Sequence, residues 1–208
     1  MFLAIAQHTL QGPRSTVLHT MFKQSTHRFL LIPALILFMI ILAGALIWQH
    51  NSQQARFDRQ IQLAALQYNV KPSLIKAVIW QESRFKPSAL GSVGEVGLMQ
   101  IRELTAQEWC SDNKIKDFHP SHLFNPQTNI YIGTWYLGKM LNRYNKTDNP
   151  LPYALSDYNA GRKAVLRWTS GSALTNSSHF LNNITYPSTR RYVESVTQRS
   201  LHYERKLQ

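Results

Sequence analysis

VIWQESRFKPSALGSVGEVGLMQI, residues 78–101, begins as an apolar helix, breaks at Pro87, runs through glycines at 91, 94 and 97 and closes on an apolar LMQI. Upstream, Leu74, Ile75, Val78, Ile79 and Glu82 recur at helical spacing, so a helix starting at Pro72 sets Glu82 on its apolar stripe. Lys86 and Pro87 are expected to end that helix. A carboxylate at a helix C-terminus meets unpaired carbonyls, and burial beside Val78 and Ile79 disfavours its charge as well. Both effects raise its pKa. A carboxyl group that keeps its proton near neutral pH can serve as a general acid and then, once ionised, as a base. Position alone leaves the alternative open, a glutamate pointing to solvent at a helix end.

Outward from this stretch the pattern is helical. Phe57, Ile61, Ala64, Ala65 and Tyr68 predict an amphipathic helix over Arg56–Tyr68. Leu98–Trp109 reads as a helix, and Asn129–Tyr144 as another, through Ile130, Trp135, Leu137, Met140 and Leu141. A helix is expected around Tyr153–Tyr158, interrupted by NAG before Ala164–Trp168. TSGSALTNSSH, from Thr169, reads as a polar loop, and ITYPSTRRYVESV opens a last helix running toward Leu207. No repeat and no strand alternation of useful length stands out, so the fold class is mainly α.

Ahead of this lies FLLIPALILFMIILAGALIW, Phe29–Trp48, without a charged side chain. About 20 apolar residues suffice to cross a bilayer, and a helix apolar all round would otherwise need protein on every side. A cleaved signal peptide is the alternative, although about 28 residues ahead of the apolar run is long for one. Arg14, Lys23 and Arg28 precede the run with no acid, whereas Arg56, Asp58 and Arg59 after it are mixed. Positive flanks stay in the cytoplasm. The expected layout is a cytoplasmic tail over 1–28, a single-pass inner-membrane anchor over 29–48, a linker over 49–56 and a periplasmic domain over 57–208.

After Trp48 the chain carries 20 Lys and Arg against 11 Asp and Glu, a surface suited to polyanions. Nucleic acid is not the expected partner, because no basic run exceeds a pair and no zinc or zipper spacing occurs. An anionic wall polymer or lipid headgroups fit an exported domain better. Cys110 is the single cysteine, which rules out an internal disulfide and reads as a small half-buried hydrophobe. The eight histidines are scattered, so no metal or other cofactor is expected.

Four ordered stretches carry a family resemblance. ESRFKPSALGSVGEVGLMQI resembles the E-S-x-F-x-P-x-A, glycine-rich loop and G-L-M-Q signature of the SLT-type lytic transglycosylases, in the lysozyme-like superfamily. NPQTNIYIGTWYLGKML, ALSDYNAGRKAVLRW and TRRYVESV resemble that family's later motifs, and together the matches cover about Arg56–Glu204. The resemblance implies a lysozyme-like fold and cleavage of the β-1,4 bond between N-acetylmuramic acid and N-acetylglucosamine in peptidoglycan. Glu82 would be the sole acid/base, and the C6 hydroxyl of the muramoyl residue would attack C1 to leave a 1,6-anhydro end. Ser83, Met99, Gln100, Tyr158, Asn159 and Tyr192 match the family's substrate-binding positions. Tyr192 matches a tyrosine whose hydroxyl approaches the catalytic acid, while Ser83 equally suits a helix-ending hydroxyl.

Some residues depart from the family pattern. Gly91 stands where serine is common, Ser188 where glutamate is usual, Glu95 where a small residue is usual, and Asp157 where alanine is common. Glu95 is expected to be a solvated loop acid and Asp157 a helix-surface acid; either one facing the cleft would make ordinary hydrolysis plausible, because that chemistry uses two carboxylates. The competing functions are thus a hydrolysing muramidase and a non-catalytic murein-binding scaffold for a cell-wall-spanning machine.

Overall fold

The structure, a computed structural model, describes the backbone of residues 15–206 and the side chains of 32–49 and 52–206. The expected tail before Ser15 lies outside the described residues. The chain divides into two units, one ending at Ser52 and one beginning at Gln53. Helix α1, Ser15–Ala55, contains Pro33, and its large apolar side chains from Ile32 to Trp48 are exposed. Among the described residues this is the one helix long and apolar enough to cross a membrane, judged by length and composition.

The second unit is helical, with no strand among its described residues. Its helices are α2 (Asp58–Tyr68), α3 (Pro72–Ser83), α4 (Glu103–Asp112), α5 (Pro126–Arg143), α6 (Pro150–Ala160), α7 (Arg162–Trp168), α8 (Ser177–Asn183) and α9 (Pro187–Lys206). Ile61, Ala64 and Ala65 are the buried stripe of α2, and Asn69, at φ 51°, closes that helix by donating its N–H to the Ala65 carbonyl. Pro72 starts α3, where a missing N–H costs nothing. The buried Leu74, Ile75, Val78 and Ile79 pack with Tyr192, Val193, Val196 and Tyr203 of α9 in one core, so α3 lies along α9. A second, smaller core gathers Tyr153, Val165, Trp168, Ala173 and Phe180, with the Tyr153 and Phe180 rings stacked 4.0 Å apart.

Four expectations about the elements need correction. α3 ends at Ser83, ahead of Lys86, because Arg84 and Phe85 both take left-handed conformations. Residues 98–102 do not begin a helix. Val96 and Ile101 instead exchange backbone hydrogen bonds of 3.0 and 2.9 Å, and Gln100 sits at φ 49°. The cause is tertiary: Asn129 of α5 accepts from the Met99 N–H and donates to the carbonyls of Val96 and Leu123, each at 2.8 Å. A side chain that satisfies three backbone groups outcompetes a helical turn. Gly97, at φ 80°, admits this, since any Cβ there would strike the Asn129 amide. The NAG interruption narrows to Gly161, as Asn159 and Ala160 complete α6.

The stretch read as a polar loop after Thr169 forms a 3-10 turn, Gly171–Leu174, and α8. Asn176 caps α8 by accepting from His179 N–H, and Asp148 accepts the Ser177 N–H at 2.8 Å. Phe180 then drops fully buried into the second core.

Candidate active site

Glu82 occupies the last turn of α3, where the two left-handed residues turn the chain away and leave its side chain over α9. Tyr192 donates its hydroxyl to Glu82 Oε1 at 2.6 Å. No lysine or arginine is bonded to Glu82 among the described ion pairs. Burial pushes the Glu82 carboxyl up from the ordinary 4.5 to about 7; the Tyr192 hydrogen bond works against this and the nearby Glu95 adds to it. Burial, reinforced by Glu82, also holds the phenols of Tyr158 and Tyr192 well above their ordinary range, so both are donors at neutral pH.

Glu82 opens into a cleft of about 510 Å³, which Glu95, Gln100, Arg102, Thr105, Tyr136, Tyr158 and Asn159 also border. Gln100 is pinned from below, its Nε2 donating to the carbonyls of Gly97 at 2.9 Å and Ala89 at 3.2 Å, which leaves its Oε1 directed elsewhere. Tyr158 donates to the Met99 carbonyl at 2.8 Å and packs its ring against Tyr136, 5.5 Å between centroids. The exposed Asn159 accepts from Thr189 Oγ1 at 2.8 Å, leaving its amide N–H groups for other acceptors. An aromatic face, carboxamides and a protonated acid along one groove suit a ligand with sugar rings and acetamido groups.

The structure thus brings Glu82, Gln100, Tyr158 and Asn159 to one cleft, with Tyr192 buried beneath the acid. It does not bring Met99 or Ser83 to the surface. Met99 is fully buried because Gly133 of α5 lacks the Cβ that would lie 2.7 Å from the Met99 Cβ; only its carbonyl serves the site, by holding Tyr158. Ser83 is buried and donates to the carbonyls of Ile79 and Leu98, ending α3 and tying it to the loop.

Of the two acids expected on the surface, Asp157 is buried and Glu95 stays partly exposed but faces the cleft. Glu95 borders the cleft, and Asp157 is 1% exposed, accepting from Arg143 at 2.6 Å and from the Tyr144 hydroxyl at 2.7 Å. Asp157 therefore enters the cleft wall already paired with a cation. Tyr136, Arg102 and Thr105 escaped the sequence reading, and only the helical register of Tyr136 on α5 hinted at its position.

The second unit is thus a mainly helical domain with a glutamate, bonded to no described cation, at the rim of a groove. The chain belongs to the transglycosylase SLT domain family, whose model it matches over residues 59–180. It is 34% identical over 137 residues to a soluble lytic murein transglycosylase of Salmonella typhimurium, a match covering 65% of this chain and 21% of the relative. It is 33% identical over 165 residues to membrane-bound lytic murein transglycosylase C of Shigella sonnei, covering 70% of this chain and 46% of that one. Among solved structures it resembles an inactive glutamate-to-glutamine variant of lytic transglycosylase Slt from Pseudomonas aeruginosa, at TM-score 0.65 and 28% identity over 72% of this chain and 24% of that one. The chain thus spans about a fifth of the length of the soluble relative and under half of the membrane-bound one.

Proposed function

We propose that the chain is a membrane-anchored lytic transglycosylase that cleaves the β-1,4 bond between N-acetylmuramic acid and N-acetylglucosamine in peptidoglycan and leaves 1,6-anhydromuramoyl ends. The observation that carries this is Glu82: a carboxyl raised to about 7, bonded to Tyr192 and open to a groove. In the first step Glu82 gives its proton to the glycosidic oxygen as the C1–O bond breaks, and the muramoyl acetamido group shields the positive charge at C1. In the second, ionised Glu82 takes the proton of the C6 hydroxyl as that oxygen closes on C1. Burial assists the first half and the Tyr192 hydrogen bond the second, because one favours the neutral form and the other the anion. Atoms balance without water. The names of the relatives, and the inactivity of a glutamate-to-glutamine variant among them, support the same assignment.

The apolar helix would anchor the domain to the inner membrane, with the basic N-terminal flank in the cytoplasm and the domain in the periplasm. A local role within a cell-wall-spanning machine fits a small domain held close to the membrane. The second reading, a hydrolysing muramidase, is favoured by one observation: Glu95 borders the cleft, where a second carboxylate could act on water.

Digestion of purified sacculi with the full chain in detergent, followed by mass spectrometry of the released fragments, tests the proposal. Anhydro ends from the parent and none from Glu82→Gln are expected; reducing ends one water heavier support the muramidase. Equal failure of parent and variant supports a murein-binding scaffold.

A further inference from the structure

Glu95 borders the cleft, yet the mechanism above gives it no step. Its placement is built, not incidental. The Gly91–Glu95 turn closes through Gly91 N–H donating to the Glu95 carbonyl at 2.7 Å, and Val93 N–H donates to Glu95 Oε2 at 3.1 Å. The carboxylate is thereby folded back over Gly91. A Cβ on Gly91 would collide with Glu95 Oε2 and would stand only 2.9 Å from both Glu95 Cβ and Gln100 Oε1. Gly91 is not among the glycines with positive φ, so its backbone conformation is open to alanine. The missing Cβ leaves room for the Glu95 carboxylate first, and also for the Glu95 Cβ and Gln100 Oε1. No lysine or arginine pairs with Glu95 among the described ion pairs.

The groups around Glu82 divide by sign. Tyr192 from α9 donates to it and favours its anion, and the Tyr158 phenol from α6 stays neutral. On the cleft walls, Tyr136 and the Asp157–Arg143 pair lie on the α5 and α6 side, and Arg102 precedes α4. Of the three acids lining this cleft, Asp157 is paired with Arg143, whereas Glu82 and Glu95 have no lysine or arginine among the described ion pairs.

We propose that Glu95 is a positioning residue for the acid: its carboxylate, seated over Gly91 on the wall of the same cleft, adds negative charge that reinforces burial in holding the proton on Glu82. The inference rests on the reading of Glu82 as the general acid. Charge repulsion between carboxyl groups that share a site raises the pKa of one of them, and the direction found for Glu82 agrees, with burial the larger cause and Glu95 a smaller one. In this account the charge of Glu95, and not a proton transfer from water, is what the site uses.

The test is a cycle in the full chain: Glu95→Gln, Glu95→Ala, Gly91→Ala and the double variant Gly91→Ala/Glu95→Ala. Two readouts apply, the alkaline limb of kcat/KM for sacculus solubilisation and the NMR titration of a 13C-labelled Glu82 carboxyl. Glu95→Gln should move both midpoints to lower pH. Gly91→Ala, which pushes the carboxylate from its seat, should do the same; in the Glu95→Ala background it can still press on Gln100 Oε1 but should move the Glu82 midpoint no further. An unmoved Glu82 midpoint in Glu95→Gln overturns the inference, as does an undiminished effect of Gly91→Ala when Glu95 is already alanine. Selective loss of reducing ends in Glu95→Gln would also overturn it, because Glu95 would then act on water. The NMR titration needs no turnover, so it decides about Glu95 even if the parent releases nothing from sacculi, the result that would sink the catalytic reading.

Discussion

Two carboxyl groups, Glu82 and Asp157, border the same cleft and are treated in opposite ways. Asp157 is nearly inaccessible, yet Arg143 and Tyr144 both donate to it within 2.7 Å. Glu82 meets one phenol and, among the described residues, no bonded cation, and its carboxyl rises to about 7. Burial sets the cost of a charge, and Arg143 offsets that cost at Asp157, whereas no described cation offsets it at Glu82. The cation at Asp157 therefore separates a structural acid from a chemical one within a single groove.

Removing the proton of Glu82 should have the largest effect. Glu82→Gln should lower the rate of sacculus solubilisation by about 10²–10⁴-fold, the usual contribution of a general acid or base, without loss of helical circular dichroism. Breaking the other carboxylate's pairing should act on stability instead. Arg143→Met strands Asp157 without its cation and should cost about 3–5 kcal/mol in urea unfolding.

The contrast also predicts a pH signature. The folded Glu82 titrates near 7 whereas the unfolded one titrates near 4.5, so below the unfolded value both states are protonated and burial of this group is harmless. As pH rises from there through 7 the folded state loses stability relative to the unfolded one, and above 7 the full cost is present. Glu82→Gln should therefore match the parent at pH 4 and exceed it at pH 8 by about 1–3 kcal/mol in chemical unfolding. Tyr192→Phe, the smallest change, removes the bond that favours the anion; the alkaline limb of activity should move to higher pH, and turnover should fall about tenfold, the worth of one hydrogen bond to a charged group.

Much of this site was legible in the sequence because it is local or periodic. Glu82 is visible as an acid on an apolar helical stripe, and Tyr158, Asn159 and Tyr192 through ordered motifs. What escaped depended on partners far along the chain. The conformation of Leu98–Arg102 is dictated by Asn129, some 30 residues away, and so its apolar pattern reads as a helix where none forms. Met99 matches a groove position but is buried because Gly133 opens a slot for it in α5. Asp157 carries no local sign of burial, since its cation lies on another helix. α8 was missed because Phe180, its deeply buried residue, stands alone in a polar stretch and gives no periodicity.

The central claim, that Glu82 keeps its proton into the neutral range because it is buried without a cation, is tested most directly by titrating its 13C-labelled carboxyl carbon in the full-length parent. A midpoint near 7 is predicted. A midpoint at or below 4.5, the ordinary value, would contradict the account, for a carboxylate already ionised there cannot protonate a glycosidic oxygen at neutral pH.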